Sequence, residues 1–276
     1  MTRGSTSENQ NDARYNIRVL DRAVRLLSLL SDGKARTANE ISESIGLSQS
    51  TTFRLLATLA YFNYVKRDDQ INQYSLGLAC LELARAYQNS NDLRKVAMPE
   101  LETLRDDVKE TVHLAVLDQM EVVYLEKLSG LHAIGLMSSR VGGRSPAFCT
   151  GVGKVLIAYQ KPDQVRSFYQ QHGLNPFTGT TITDLDALMD HLEQVRQRGY
   201  AFDVGEHEHE VRCIAAPIFD LHGQVVAALS ISGPSIRLDP IEKNMETISK
   251  AKQAALNISR QLGYSQPVRN EFIQEV

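Results

Sequence analysis

The sequence is short of several things, and each shortage excludes a class of protein. Cysteine occurs only at positions 80, 149 and 213, too sparse and too far apart for a disulfide framework. No apolar run approaches the roughly 18 residues that a membrane helix needs. The opening MTRGSTSENQNDAR lacks the apolar centre of a secretory signal. Positive charge is not in excess: the net charge of −3 excludes a polycation that coats nucleic acid along its whole length. There is no internal repeat and no phosphate-binding glycine loop, since GVGK at 151–154 lacks Walker spacing and reads as a helix start. A reduced, cytoplasmic protein is expected, with no membrane segment and no cofactor.

What is present is an ordinary globular mixture, 42% hydrophobic and 23% charged over 276 residues, enough for two domains. Residues 1–88 hold 11 Lys and Arg against 9 Asp and Glu, a mild basic balance that points weakly to nucleic acid at this end.

Residues 1–14 are expected to be a disordered tail. IRVLDRAVRLLSLLSDG then places Leu20, Ala23, Val24, Leu27 and Leu30 on one helical face and stops at Gly33. In ANEISESIGLSQSTTFRLLATLAYFNYV a short helix carrying Ile41 and Ile45 breaks at Gly46. A second helix starts after Ser48, a good cap, and buries Thr52, Leu55, Leu56 and Leu59. Asn63 follows its last turn, where a left-handed residue is wanted. YVKRDDQINQYSL reads as two strands around a polar turn. Three helices and a hairpin over 15–77 make a winged helix-turn-helix, with a plain helical bundle as the alternative. The exposed start of the second helix supplies Gln49, Ser50, Thr51, Phe53 and Arg54 as candidates for DNA contact. Gln49 suits adenine and Arg54 suits guanine or phosphate. Lys66 and Arg67, entering the wing, suit phosphates, as do Arg18, Arg22 and Arg36.

A linker helix over 78–91 leads to a second domain at 92–265, followed by a tail at 266–276. That domain opens with helix LRKVAMPELETLRDDVK. Strand-like runs follow: TVHLAVLD, EVVYLEKL, HAIGLMS, VRCIAAPIFD and QVVAALSISG. Thr150 caps a helix in TGVGKVLIAY, and further helices fall at about 162–171 and 184–198. A last helix is expected from Asp239 (cap) and Pro240 through Ile241, Met245, Ile248, Ala255 and Ile258. Meander strands with helices around them argue for an α+β sensor-type domain.

Three segments carry a family resemblance: LSQSTTFRLLATLAYFNYV, GGRSPAFCTGVGKVLIAY, and RGYAFDVGEHEHEVRCIAAPIFDLHGQVVAALSISGP. They resemble the IclR family of bacterial transcription regulators, over about residues 16–264. Within it, ETVHLAVLD followed by VVYLEKL is closest to the branch that senses sugar acids such as 2-keto-3-deoxygluconate. The resemblance implies a GAF-like effector-binding domain joined by a helix to the winged helix. It implies a dimer or dimer of dimers on palindromic operator DNA, a small carboxylate as effector, and no enzymatic activity. Carried over position by position, the effector pocket falls on Ile134, Met137, Gly151, Val152, Asp203, Cys213, Ser230 and Ser232. The residues make physical sense of it. A helix N-terminus at Gly151 favours an anion, and Ser230 and Ser232, two apart on a strand, share a face. Ordinary sheet hydroxyls bonded to neighbours are the alternative.

GEHEHEVRC, residues 205–213, admits three readings. His207, His209 and Cys213 are suitable zinc ligands, but H-x-H-x-x-x-C matches no defined zinc pattern, so no metal is assigned. Catalysis would need a fixed water and base, and nothing here supplies them. A solvated rim loop with only Cys213 turned inward is the reading adopted. Glu210 stands where the family usually has glycine. His113 is read as a satisfied half-buried histidine, Cys80 as packing, Cys149 as a neighbour of the pocket helix, and His172 and His191 as surface residues. The expected function is a ligand-responsive repressor of a catabolic operon, released by a sugar acid or keto acid. The rivals are a metal-dependent enzyme acting on a small acid and an effector-independent DNA-binding scaffold.

Overall fold

The computed structural model describes residues 17–90, 92–132 and 137–265. The expected tails at 1–14 and 266–276 and the pocket candidate Ile134 lie outside them. Contacts divide the chain into two compact units, Met1–Ser90 and Asn91–Val276.

The first unit contains α1 (Arg18–Leu30), α2 (Ala38–Ile45), α3 (Gln49–Tyr61), β1 (Val65–Asp68), β2 (Gln73–Leu76) and α4 (Leu78–Ser90). Thr37 and Glu40 close a reciprocal capping box on α2. Gly46 turns the chain at φ +66, and Ser48 accepts the Thr51 N–H at 3.4 Å to start α3. Asn63 is left-handed, at φ 58. Thr52, Leu55 and Leu56 are buried and Leu59 packs beside them. The helical face expected for α1 needs correction: Leu20 and Val24 are exposed, and Leu26 with Leu30 enters the core. Ala23, Leu27 and Leu30 of the expected stripe do face the core, which is rotated toward Leu26 because that side of the helix meets α2 and β2. Arg36 is also corrected. Its guanidinium clasps Asp32 at 2.5 and 2.8 Å and donates to the Leu29 carbonyl, while its backbone bridges Tyr74. It fastens the end of α1 to the wing and is not held out for phosphate.

The second unit is built on a six-stranded antiparallel sheet in the order β5-β4-β3-β8-β7-β6. Its strands are β3 (Thr111–Asp118), β4 (Glu121–Leu128), β5 (Arg144–Pro146), β6 (Ala201–Val204), β7 (Val211–Phe219) and β8 (Val225–Pro234). Alternation sends Val112, Leu114, Ile214, Ile218, Leu229 and Ile231 to one face. There they pack with α5 (Asp92–Val108) and α10 (Met245–Gln261). The opposite face presents Ala115, Ala215 and Ala228 to α6 (Gly151–Ala158), with α7 (Pro162–His172) and α8 (Leu185–Arg198) outside it. These alanines let α6 lie close, and all eight of its residues are buried. Full burial of each large aliphatic side chain contributes about 1.5–3 kcal/mol.

β5 and β6, three and four residues long, were not expected, nor was the short helix α9 (Ser235–Leu238). The described part of HAIGLMS forms no strand. The last helix starts later than expected. Pro240 is extended after a cis Asp239–Pro240 bond, a single 3-10 turn covers Ile241–Lys243, and Asn244 caps α10 by accepting the Thr247 N–H. Met245, the first residue of α10, points to solvent.

Candidate ligand pocket and DNA-reading helix

At one end of the sheet, the face beneath α6 changes from alanine to polar residues. One cross-strand register reads Thr111, Ser232, Cys213, Asp203; the next reads Lys127, His113, Ser230, Ala215. Residues opposite one another in an antiparallel pair share a face, so the two registers form a polar belt. His113 Nδ1 lies 3.2 Å from Ser230 Oγ and 3.4 Å from Ser232 Oγ, and its Nε2 lies 2.8 Å from Ser139 Oγ. The two serine hydroxyls are 3.2 Å apart. Burial, helped by Lys127, draws the imidazole pKa down to about 3, so the ring is neutral with one nitrogen donating and one accepting.

α6 aims its first turn at this belt. Thr150 caps it by accepting the Gly153 N–H at 3.3 Å. A side chain at Gly151 would put its Cβ 3.2 Å from that of Cys213, and one at Gly153 would stand 2.3 Å from the Ala147 carbonyl. Glycine at 151 lets the helix start press against β7, and glycine at 153 lets the chain at Ala147 fold back against the helix. Asp203 is buried beside it, and its Oδ1 accepts the Glu206 N–H at 2.7 Å. Burial pushes its carboxyl up to about 7 against the pull of Lys154. Burial raises the Cys213 and Cys149 thiols as well, so neither is a thiolate at neutral pH. A cavity of about 30 Å³ is enclosed by these groups together with Met137, Val152 and Tyr124.

The structure therefore brings Met137, Gly151, Val152, Asp203, Cys213, Ser230 and Ser232 to one cavity. It adds His113, Tyr124 and Ser139, which sequence reasoning did not place there, and His207 and Glu208 from the rim segment. His113 is buried, not half-buried. The Thr111-Val-His113 alternation has the same two-residue spacing as Ser230 and Ser232, and that was the available signal.

In the first unit, Gln49, Ser50, Phe53 and Arg54 are exposed at the start of α3, with Thr51 half-buried. Ser48, Ser50 and Thr51 share hydroxyl contacts of 2.9–3.2 Å that fix this first turn. Lys66 is exposed on β1. Arg67 is tied to Asp69 at 3.2 Å and to Asn72 at 2.9 Å across the wing.

Comparison with known proteins decides the family. The IclR helix-turn-helix domain matches residues 19–69, and the C-terminal domain of the bacterial transcriptional regulator IclR matches 85–260. The chain belongs to the IclR family of bacterial transcriptional regulators. It is 38% identical to the HTH-type transcriptional regulator KdgR of Escherichia coli strain K12 over 242 residues, 87% of this chain and 90% of that protein. It is 34% identical to the HTH-type transcriptional repressor AllR of the same strain over 262 residues, 95% and 96% of the two chains. The crystal structure of an IclR homolog from Microbacterium hydrocarbonoxydans complexed with 4-hydroxybenzoate superposes with a TM-score of 0.77. That homolog is 31% identical, over 90% of this chain and 100% of that one. An IclR regulator is a ligand-responsive DNA-binding protein and not an enzyme, and no helix among the described residues is long and apolar enough to cross a membrane.

GEHEHEVRC is not a purely solvated loop, and that expectation is corrected. Glu206 is buried and pairs with the fully buried Lys154 of α6. His207 is half-buried, its ring 5.0 Å from that of Phe177. Glu208 crosses to Ser138, and only His209 and Glu210 face solvent. The reason lies outside the segment: Lys154 needs a counter-charge. Thr178, Thr180 and Thr181 also clasp the backbone, with Thr178 and Thr180 donating to the Gly205 carbonyl and Thr181 to that of Glu206. His209 is exposed beside Glu210, whereas His207 and Cys213 line the cavity. Among the described residues no group of three His, Cys, Asp or Glu is placed to hold a metal. His191 is half-buried and not a surface residue, while His172 is exposed.

Proposed function

We propose that this regulator is a repressor that binds palindromic operator DNA as a dimer and is released by a small aliphatic hydroxy or keto acid. The observation that carries the effector class is the belt beneath α6. Among the described residues lining the cavity there is no Lys or Arg, while a helix N-terminus, Ser230, Ser232 and neutral His113 are all present. Unpaired first-turn N–H groups and hydroxyls suit a carboxylate, and Asp203 tolerates one nearby by holding a proton. The walls offer hydroxyls more than aromatic faces, which favours a sugar acid or keto acid over an aromatic acid. KdgR and the repressor AllR as relatives, and a homolog holding the carboxylate 4-hydroxybenzoate, support this reading.

In this proposal residues 15–77 read DNA, with Gln49, Ser50, Thr51, Phe53 and Arg54 at base edges or backbone and Lys66 and Arg67 at phosphates. Residues 78–91 link, and 92–265 bind the effector in the cytoplasm. Self-association is supported by Ile17, Val19, Leu20 and Val24, exposed together on and beside α1, and by Leu78 and Leu81 on α4. A two-fold dimer would set half-sites about one helical turn apart. The test is operator affinity at fixed salt with and without a panel of acids, alongside thermal unfolding. An acid at a hundred times its Kd adds about 2.7 kcal/mol to stability. Operator affinity unchanged by an acid that does bind would overturn the effector-controlled reading and leave the scaffold alternative.

A further inference from the structure

A cleft of about 780 Å³ in the second unit shares no residue with the cavity beneath α6. Its volume lies within the roughly 300 to 1,000 Å³ of small-ligand sites. The sheet leaves room for it. β6 pairs with β7 only from Arg212 to Ala215, so the edge of β7 from Ala216 to Phe219 has no strand beside it. The gap is bordered by Arg196, Gly199 and Tyr200 at the end of α8 and by α10. An added strand does not suit this edge. Pro217 has no N–H to give, and the Phe219 N–H is already donated to the Ser259 hydroxyl at 2.9 Å.

The lining combines aromatic rings with positive charge. Phe219 stacks on Tyr264 at 4.9 Å between ring centroids and meets Tyr159 edge-on at 5.6 Å. From α10, Ser249, Lys252 and Gln253 stand three and four residues apart on one exposed helical face. Among the described residues lining the cleft there is no Asp or Glu, and the charged ones are Arg196 and Lys252. Arg196 is tied to Glu193 at 2.5 Å and to the Ala158 carbonyl at 2.8 Å. Lys252 donates to the Arg198 carbonyl at 3.3 Å and lies 5.5 Å from the Tyr200 ring centroid, with no carboxylate partner among the described residues. A sugar acid would leave the aromatic faces unmatched, and a neutral ring would leave Lys252 unmatched. A ring carrying its own negative charge answers both.

We propose that this cleft is a second ligand site of the second unit, and that it takes a flat, two-ring aromatic carboxylate. The rings lie against Tyr159, Phe219 and Tyr264; the carboxylate meets Lys252, with Ser249 and Gln253 donating beside it. Ser259, which holds Phe219, is seven residues beyond Lys252 on α10, about 10 Å along the axis. A single ring with its carboxylate falls short of that span, whereas two fused rings cover most of it. The inference is independent of what the cavity beneath α6 binds.

The experiment is calorimetric titration of the full-length protein with 2-naphthoate, alongside its neutral amide, 2-naphthamide, and the non-aromatic cyclohexanecarboxylate. The wild type is compared with Lys252→Gln and Gln253→Glu, both at exposed positions of α10, and with Ser230→Ala beneath α6. The expected result is 2-naphthoate binding weakened about tenfold by each α10 substitution and unchanged in Ser230→Ala. In the wild type the amide and the cyclohexane acid bind at least about tenfold less tightly than 2-naphthoate. Failure of 2-naphthoate to bind, equal binding of the amide, or binding indifferent to both α10 substitutions would overturn the proposal. So would its loss in Ser230→Ala, which would place the acid beneath α6. A fall in oligomeric mass on Gln253→Glu, measured by light scattering, would mean that a second copy of the chain covers the cleft, and would overturn it as well.

Discussion

The carboxylate of Glu208 accepts two hydrogen bonds from Ser138, the N–H at 3.2 Å and the hydroxyl at 2.7 Å, across 70 residues of chain. Lys127 holds the flanking carbonyls of Met137 and Ser139, and His113 holds the Ser139 hydroxyl. A short irregular segment is thereby pinned across the cavity from three elements. Glu208→Ala removes one pin and leaves two. The expected outcome is about tenfold faster amide hydrogen exchange at Ser138, with little change at Ser139, since a hydrogen bond to a charged group is being lost. Exchange at Ser138 that does not change would show that Glu208 is a passive surface contact.

Lys154 and Glu206 form the second anchor, and here the partners are buried. Lys154→Met leaves Glu206 charged without a counter-ion and is expected to cost about 3–5 kcal/mol in urea unfolding. The double substitution Lys154→Met, Glu206→Leu should recover most of that loss, because a buried pair is roughly neutral against apolar residues of similar volume. A double variant as unstable as the single would mean that the turn needs Glu206 for its backbone geometry and not for its charge.

Much of the frame was legible because it rests on local chemistry. TVHLAVLD and EVVYLEKL are β-branched runs around a turn whose Gln119 and Met120 are left-handed, and both strands fall where expected. Ser48 and Gly46 mark α3 and the turn before it, and Ser230 and Ser232 declare a shared face by their spacing alone. The rest depended on partners distant in sequence. Glu206, Glu208 and Glu210 are alike in composition, and only Lys154, 52 residues away, singles out Glu206. Lys154 sits in an apolar run whose helix is buried all round, so no periodicity marks it. His113 needed the pairing of β3 with β8 before its place beside Ser230 could be seen.

On the DNA side, residues that read bases and residues that hold phosphates separate by experiment. Gln49→Ala or Arg54→Ala is expected to cost about 1–3 kcal/mol on the preferred operator and to relax discrimination at one base pair. Lys66→Ala should weaken all duplexes alike and lower the slope of log affinity against log salt by about 1. Arg67→Ala should do the same and also loosen the wing, through its lost bonds to Asp69 and Asn72. Titrations of specific and scrambled duplexes at several salt concentrations measure all three. If Gln49→Ala weakened specific and scrambled DNA equally, the start of α3 would be a backbone contact.

Asp203 supplies the pH dependence, and its sign follows from burial. Its carboxyl is pushed from the ordinary 3.8 up to about 7, so between those values the folded chain holds a proton that the unfolded chain has released. The contribution of Asp203 to stability is full below about pH 4 and is lost as pH rises through about 7. Asp203→Asn should remove that slope from urea unfolding measured over pH 5–8. Binding follows the same proton. Below about pH 7 an anionic effector meets a neutral Asp203 and above it a charged one, so Kd should weaken about tenfold from pH 6 to pH 8. His113, held down at about 3, stays neutral across this range and does not mask the effect. A Kd equally pH-dependent in Asp203→Asn would transfer the titration to another group and remove Asp203 from contact with the effector.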